Sequence, residues 1–263
     1  MTREPHPSFI QPVDKGVKIW RYMSLPKFLS LLQSKTLFFS RLNYFEDAFE
    51  GSLPLATIKQ REGFLYSPEL QTSFSEEELE ERKKTFLDML SEQTKKLRHE
   101  FMVNCWHMSS YESAAMWRLY SRGEPILSIQ STYEDLDKVL PPYVMLGGVR
   151  YIDYDSELIP YGNVLHPVTY KRKSFEHEKE IRAVVWQANL LAETRKHPEW
   201  NIEQLNITES GVAVPIDVKN LIKGVYVDPA ASEWFADVVN KVCQENGLGE
   251  LVHKSSLAKA PLF

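Results

Sequence analysis

Cysteine is scarce: Cys105 and Cys243 are the only two in 263 residues, and neither belongs to a C-x-x-C pair. That excludes a disulfide framework and a zinc ribbon and fits a reducing, cytoplasmic setting. No run approaches the roughly 20 apolar residues that span a bilayer, so no membrane partner is expected. The opening MTREPHPSFIQPVDKG carries early charges and prolines and no apolar stretch, which is not the pattern of a signal peptide. Charge of one sign is also lacking. With 31 Lys and Arg against 36 Asp and Glu, the net charge of −5 exerts no general pull toward nucleic acid or an anionic membrane. G-x-G-x-x-G, the P-loop, H-E-x-x-H and G-x-S-x-G are all absent, which disfavours Rossmann dehydrogenases, P-loop NTPases, zincins and α/β-hydrolases.

What is present suffices for a core: 43% hydrophobic and 12% aromatic residues. Val17 to Met23 alternates as a strand. Ser24 and Pro26 then start a helix bearing Phe28, Leu29, Leu31 and Leu32, and TLFFS (36–40) makes a second strand. The loop Arg41 to Ser52 mixes aromatic and acidic residues. Ser75 and Glu78 form a capping box ahead of a long amphipathic helix reaching about His99. Strands are expected at FMVNCWH, PILSIQST, YVMLGGVRYID, HPVTY, EKEIRAVVW, GVAVPID, GVYVD and ELVHKSS, with helices at Glu112 to Ser121 and Ser232 to Glu245. Strands and helices mix without βαβ regularity. The expected fold is therefore a single α+β domain over 1–263, with central mixed or antiparallel sheets, flanking helices and a helical insertion at about 54–101.

Three places suggest chemistry. Arg21 shares a strand face with Val17, Ile19 and Met23, and a guanidinium on an apolar face needs a carboxylate or a bound anion. A structural salt bridge, or burial of the Trp20 and Tyr22 side instead, would explain it equally. In an extended SFEHEKEIRAVVW, Glu178, Glu180 and Arg182 line one face, suited to charge stabilisation or general-base work. The plainer reading is a half-exposed edge strand. In CWHMSSYESAAMWRLYS most residues are packing material, with Ser109 at a strand-to-helix boundary. Cys105 has no converging His and Asn and reads as a buried strand thiol, and His107, His166 and His177 lack metal-site spacing.

IWRYMSLPKFLSLLQSKTLFFSRLNYFEDAFEGS, CWHMSSYESAAMWRLYS, KSFEHEKEIRA and GVYVDP, in that order, resemble a widespread bacterial domain family of unknown function with relatives among abortive-phage-infection proteins. The opening strand–helix–strand unit, ending in Ser40, is also similar to the start of ADP-ribosyltransferase folds. That second resemblance implies an ADP-ribosyltransferase-like core that cleaves NAD and passes ADP-ribose to a protein or nucleic-acid acceptor, in a toxin or phage-defence setting. It implies Arg21 as the first-strand residue holding the pyrophosphate, and Glu180 or Glu178, an E-x-E pair, as the catalytic carboxylate. Around NAD it implies Tyr22, Ser40 and Arg41, the loop aromatics Tyr44 and Phe49, then Ser109, Trp117, Tyr120 and Arg182. Two other readings stand beside it. One is a Mg²⁺-dependent nuclease using Asp153, Asp155, Glu178 and Glu180, which would also need a lysine near the metal, and Lys179 points to the wrong face. The other is a non-enzymatic binding module that uses the Tyr44–Phe49 loop.

Overall fold

A computed structural model describes residues 5–259 and 261. The chain opens with β1 (Lys18–Met23), α1 (Leu25–Ser34) and β2 (Thr36–Arg41). A helical excursion follows, through α2 (Leu55–Gly63), α3 (Pro68–Ser73) and α4 (Glu76–Glu100), and delivers β3 (Phe101–Met108). Next come α5 (Ala114–Ser121), β4 (Leu127–Thr132), α6 (Tyr133–Val139), β5 (Met145–Gly148) and β6 (Arg150–Ile152). The single turn α7 (His166–Thr169) leads to β7 (Tyr170–Arg172), β8 (Glu180–Trp186), α8 (Gln187–Thr194) and β9 (Gly211–Pro215). The chain then runs through α9 (Val218–Leu221), β10 (Gly224–Val227), α10 (Glu233–Glu245) and β11 (Val252–Lys254).

Nine of these strands form one mixed sheet, ordered β11-β10-β4-β1-β3-β2-β9, with β8 on β3 and β5 on β8. All pairings are antiparallel except β10 with β11. The centre is β3. One of its edges pairs with β8 from Phe101↔Trp186 to His107↔Glu180. Its other edge is divided, with β2 registering at Met102 and Val103 and β1 at His107 and Met108. Asn104, Cys105 and Trp106 therefore run along a gap where β1 and β2 part. Arg21, one residue beyond Trp20, stands at the mouth of that gap.

Both faces of β1 are covered, which resolves the question of which one is buried. Ile19 and Met23 join the main core with Trp106, Ile129 and Ile181, under α1 (Phe28, Leu31, Leu32) and α10 (Phe235, Val239). Each such large apolar side chain contributes roughly 1.5–3 kcal/mol by leaving water. Trp20 and Tyr22 pack on the other face against Met116 and Trp117 of α5. The capping box forms as the sequence suggests: Ser75 Oγ accepts from Glu78 N and Ser75 N donates to the Glu78 carboxylate at 2.8 Å.

Three expectations are corrected. HPVTY is not a strand: Pro167, which has no N–H to give a ladder, starts the turn α7, and pairing begins only at Tyr170. YVMLGGVRYID breaks at Val149, so that β5 joins the main sheet while β6 pairs with β7 in a separate parallel ribbon. Glu178 is not on a strand either. Residues Lys173–Glu178 coil as a 3-10 helix, Lys179 turns through a left-handed φ of 42°, and β8 starts at Glu180.

Candidate functional site: a buried charge cluster beside an unpaired guanidinium

That turn at Lys179 brings the two glutamates to one cation from different directions. Lys171, on β7, places its Nζ 2.6 Å from Glu178 Oε2, 3.1 Å from Glu180 Oε2 and 3.0 Å from Glu50 Oε1. Arg182 completes the group. Its Nε lies 2.7 Å from Glu180 Oε1, its Nη2 is 3.0 Å from Glu180 Oε2 and 3.1 Å from Glu50 Oε2, and its Nη1 donates to Val168 O at 2.8 Å. Three carboxylates and two cations thus satisfy one another, with Arg182 side chain 0% and Glu180 4% exposed.

Burial alone would raise the Glu180 pKa, but Arg182 and Lys171 more than reverse it and hold the carboxyl well below its usual range. Burial likewise opposes the Lys171 charge, and Glu180 and Glu50 overcome it, so the ammonium titrates well above the ordinary lysine range. Glu178 differs. Its side chain is 16% exposed, and burial, only partly offset by Lys171, raises its pKa.

Glu50 reaches the cluster from the aromatic, acidic loop because Gly51 follows it with φ 73°. A Cβ there would lie 2.8 Å from Leu42 Cδ1, so the turn that aims Glu50 inward needs glycine. The same loop sends Asp47 to Arg172 at 2.7 Å, and the Arg172 guanidinium sits over the Phe49 ring, 4.4 Å from its centroid. Phe49 also meets Tyr154 edge-on. Tyr44 is 51% exposed at the loop surface.

Arg21 is the opposite case. No ion pair joins it to any described residue, and its Nη1 is buried with no hydrogen-bond partner. Burial depresses its pKa, and the groups whose charge acts on it are Cys105 and Tyr120. Cys105 is half-buried, and its thiol is pushed far up by burial, with the Glu180 charge adding to the rise. Tyr120 stacks on Tyr22 with ring centroids 6.0 Å apart, and its hydroxyl, raised by burial, feels Cys105, Glu180, Glu178 and Arg21. Tyr22 OH accepts from Ser113 N at 3.0 Å and titrates at about 12 because of burial. Arg21, Tyr22, Cys105 and Tyr120 therefore form one neighbourhood, and Tyr120 connects it electrostatically to Glu178 and Glu180.

The remaining expected site residues divide. Ser40 registers with Val103 and is half-buried. Ser109 uses its carbonyl to accept from Trp20 Nε1 at 2.8 Å and its Oγ to accept from Tyr111 N. Three assignments to cofactor contact are corrected. Arg41 is 3% exposed and spends its guanidinium on the carbonyls of Thr208 and His99 and on Gln187. Trp117 is a core residue at 3% exposure, meeting Tyr22 edge-on. Arg182 is sealed inside the cluster. Glu180, the first choice for the catalytic carboxylate, has both oxygens engaged by Arg182 and Lys171.

The sequence reading missed Glu50 and Lys171. A lysine does sit among the glutamates, but it is Lys171 rather than Lys179, and its ammonium takes the place a divalent cation would need. Asp153 lies elsewhere, in an exposed turn where it accepts from Asp155 N and Ser156 Oγ. Among the described residues no group of three or more His, Cys, Asp or Glu is arranged to hold a metal ion, and no helix is long and apolar enough to cross a membrane. No protein-family model matches the chain, and no curated protein or solved structure does so either.

Proposed function

We propose that the chain is an ADP-ribosyltransferase-like enzyme that takes NAD into the gap where β1 and β2 part along β3, cleaves the nicotinamide bond and passes ADP-ribose to an acceptor. The single observation carrying this reading is the buried, partnerless Arg21 Nη1. An uncompensated guanidinium costs several kcal/mol, and a pyrophosphate is the kind of partner its forked donors match. Tyr120, which acts electrostatically on Arg21, stacks its ring on Tyr22. Glu178, the more exposed of the two glutamates, is the carboxylate that faces the ribose and stabilises the positive charge developing at its anomeric carbon. Lys171 fixes Glu178 in position, and Glu180 holds Lys171 and Arg182 together. The catalytic weight therefore moves from Glu180 to Glu178. A protein or nucleic-acid acceptor in a toxin or phage-defence role is part of the same proposal.

The experiment is nicotinamide release from NAD, measured with and without Mg²⁺, on wild type and Glu178→Gln. The expected outcome is release that chelation does not affect and that the substitution lowers by about 10²–10³-fold. Release that needs Mg²⁺ or Mn²⁺ would favour the nuclease chemistry instead. A second reading, a non-catalytic module that binds an anion through Arg21, is favoured by the complete engagement of Glu180. It expects NAD or another phosphate ligand to bind without nicotinamide release.

A further inference from the structure

His107 is 5% exposed near the end of β3, and its ring Nδ1 lies 2.6 Å from the carbonyl oxygen of Glu178. A carbonyl oxygen only accepts, so Nδ1 must carry the proton in that bond. In the neutral ring Nε2 is then the bare nitrogen. Among the described residues no hydrogen bond engages Nε2. Register puts His107 beside Glu180 on β8 and Trp20 on β1, on the sheet face that also bears Tyr22 and Cys105. The Tyr22 ring is 6.4 Å away, and Tyr22 in turn stacks on Tyr120.

An imidazole held by a backbone carbonyl in one tautomer, with its other nitrogen bare and Glu180 across the strand pair, is suited to accept a proton. We infer that His107 is the general base of this site and takes the proton from an O–H acceptor that attacks the ribose, an inference that rests on the NAD-cleaving reading. The bond between C1′ and the nicotinamide nitrogen breaks, and its electron pair stays on that nitrogen, which leaves as neutral nicotinamide. The acceptor oxygen forms the new bond to C1′, and its proton passes to Nε2 and from there to solvent. Water and an alcohol share this chemistry.

The charged and titratable groups around the ring are Lys179 and His177 next to the Glu178 carbonyl, Glu180 across the strand pair, Tyr22 on β1 and Cys105 two residues back. Burial, followed by the charges of Lys179 and His177, keeps the ring neutral below the ordinary histidine value, and the bond to Glu178 only partly opposes this. Activity should therefore fall on the acid side of neutrality.

The decisive variant is His107→Asn, whose amide nitrogen can still donate to Glu178 O and so preserves the structural bond while removing the base. Nicotinamide release is measured against pH, with water alone and with methanol as a competing O–H acceptor, alongside NAD affinity and thermal unfolding. Imidazole ¹⁵N shifts are recorded on wild type. The expected result is a proton on Nδ1 in the wild type. In the variant, NAD affinity and melting temperature are unchanged, both products are lost by about 10²–10⁴-fold, and the only acid limb left is the one set by Glu178. A proton on Nε2, or a variant with the wild-type pH profile, overturns the base alone. Wild-type protein that releases no nicotinamide overturns the NAD reading and the base with it.

Discussion

Two charged regions lie side by side in this molecule and are built on opposite rules. In the cluster, Glu50, Glu178 and Glu180 close on Lys171 and Arg182, leaving one net negative charge with every group paired. At the neighbouring gap Arg21 buries its Nη1 with no hydrogen-bond partner and forms an ion pair with none of the described residues. The first arrangement needs nothing from outside the chain and fixes three segments to one another: the loop bearing Glu50, β7 and β8. The second leaves a buried donor without a partner among the described residues. Burial of charge is thus a poor guide to function unless each charge's partners are counted.

The largest expected effect breaks the first region. Glu180→Gln leaves Arg182 short of its main counter-charge and should cost about 3–5 kcal/mol of stability, read by thermal or denaturant unfolding. If the variant melts like wild type but loses turnover, Glu180 is catalytic and the division drawn here fails. Glu178→Gln sharpens the contrast from inside the same cluster. It should lower nicotinamide release by about 10²–10³-fold and destabilise the fold less than Glu180→Gln.

Acid titration should separate the two glutamates by sign. Glu180 has a folded pKa below its unfolded one, so its contribution is present above about pH 4.3 and is lost as pH falls from there. Glu178 is shifted upward, so its contribution is full below that value and shrinks as pH rises through its folded pKa. Melting temperature against pH should therefore lose its acid slope in Glu180→Gln and keep it in Glu178→Gln. The smallest effect belongs to the exposed pair Arg122–Glu46, which links the end of α5 to the aromatic loop with side chains 72% and 80% exposed. Arg122→Ala should change stability by less than about 1 kcal/mol.

Much of the frame was legible because it rests on local signals. Period-2 alternation marked β1, and short apolar runs marked β2 and β3; Ser75 with Glu78 marked the start of α4, and Ser232 with Gly247 bracketed α10. Arg21 stood out as a charge on an apolar strand face, and the structure finds it without a partner. What escaped was non-local. Lys171 sits in a KRK run with no local sign of burial, and only the packing of β7 beside the Glu178–Glu180 segment buries it. Glu50 is one of several acids in its loop, and the glycine after it is the usable hint. Treating 178–186 as one extended strand put both glutamates on one face. The left-handed turn at Lys179 instead leaves Glu178 at the edge and carries Glu180 inside, which no alternation rule reveals.

The central claim is that Arg21 is kept for a ligand rather than for the fold. Calorimetric titration of NAD into wild type and Arg21→Met, with the melting temperature of each, tests it most directly. An apolar side chain of similar length removes a buried unpaired charge, so Arg21→Met should melt no lower than wild type while NAD binding is lost. A variant that melts several degrees lower and binds NAD as wild type does would contradict the claim.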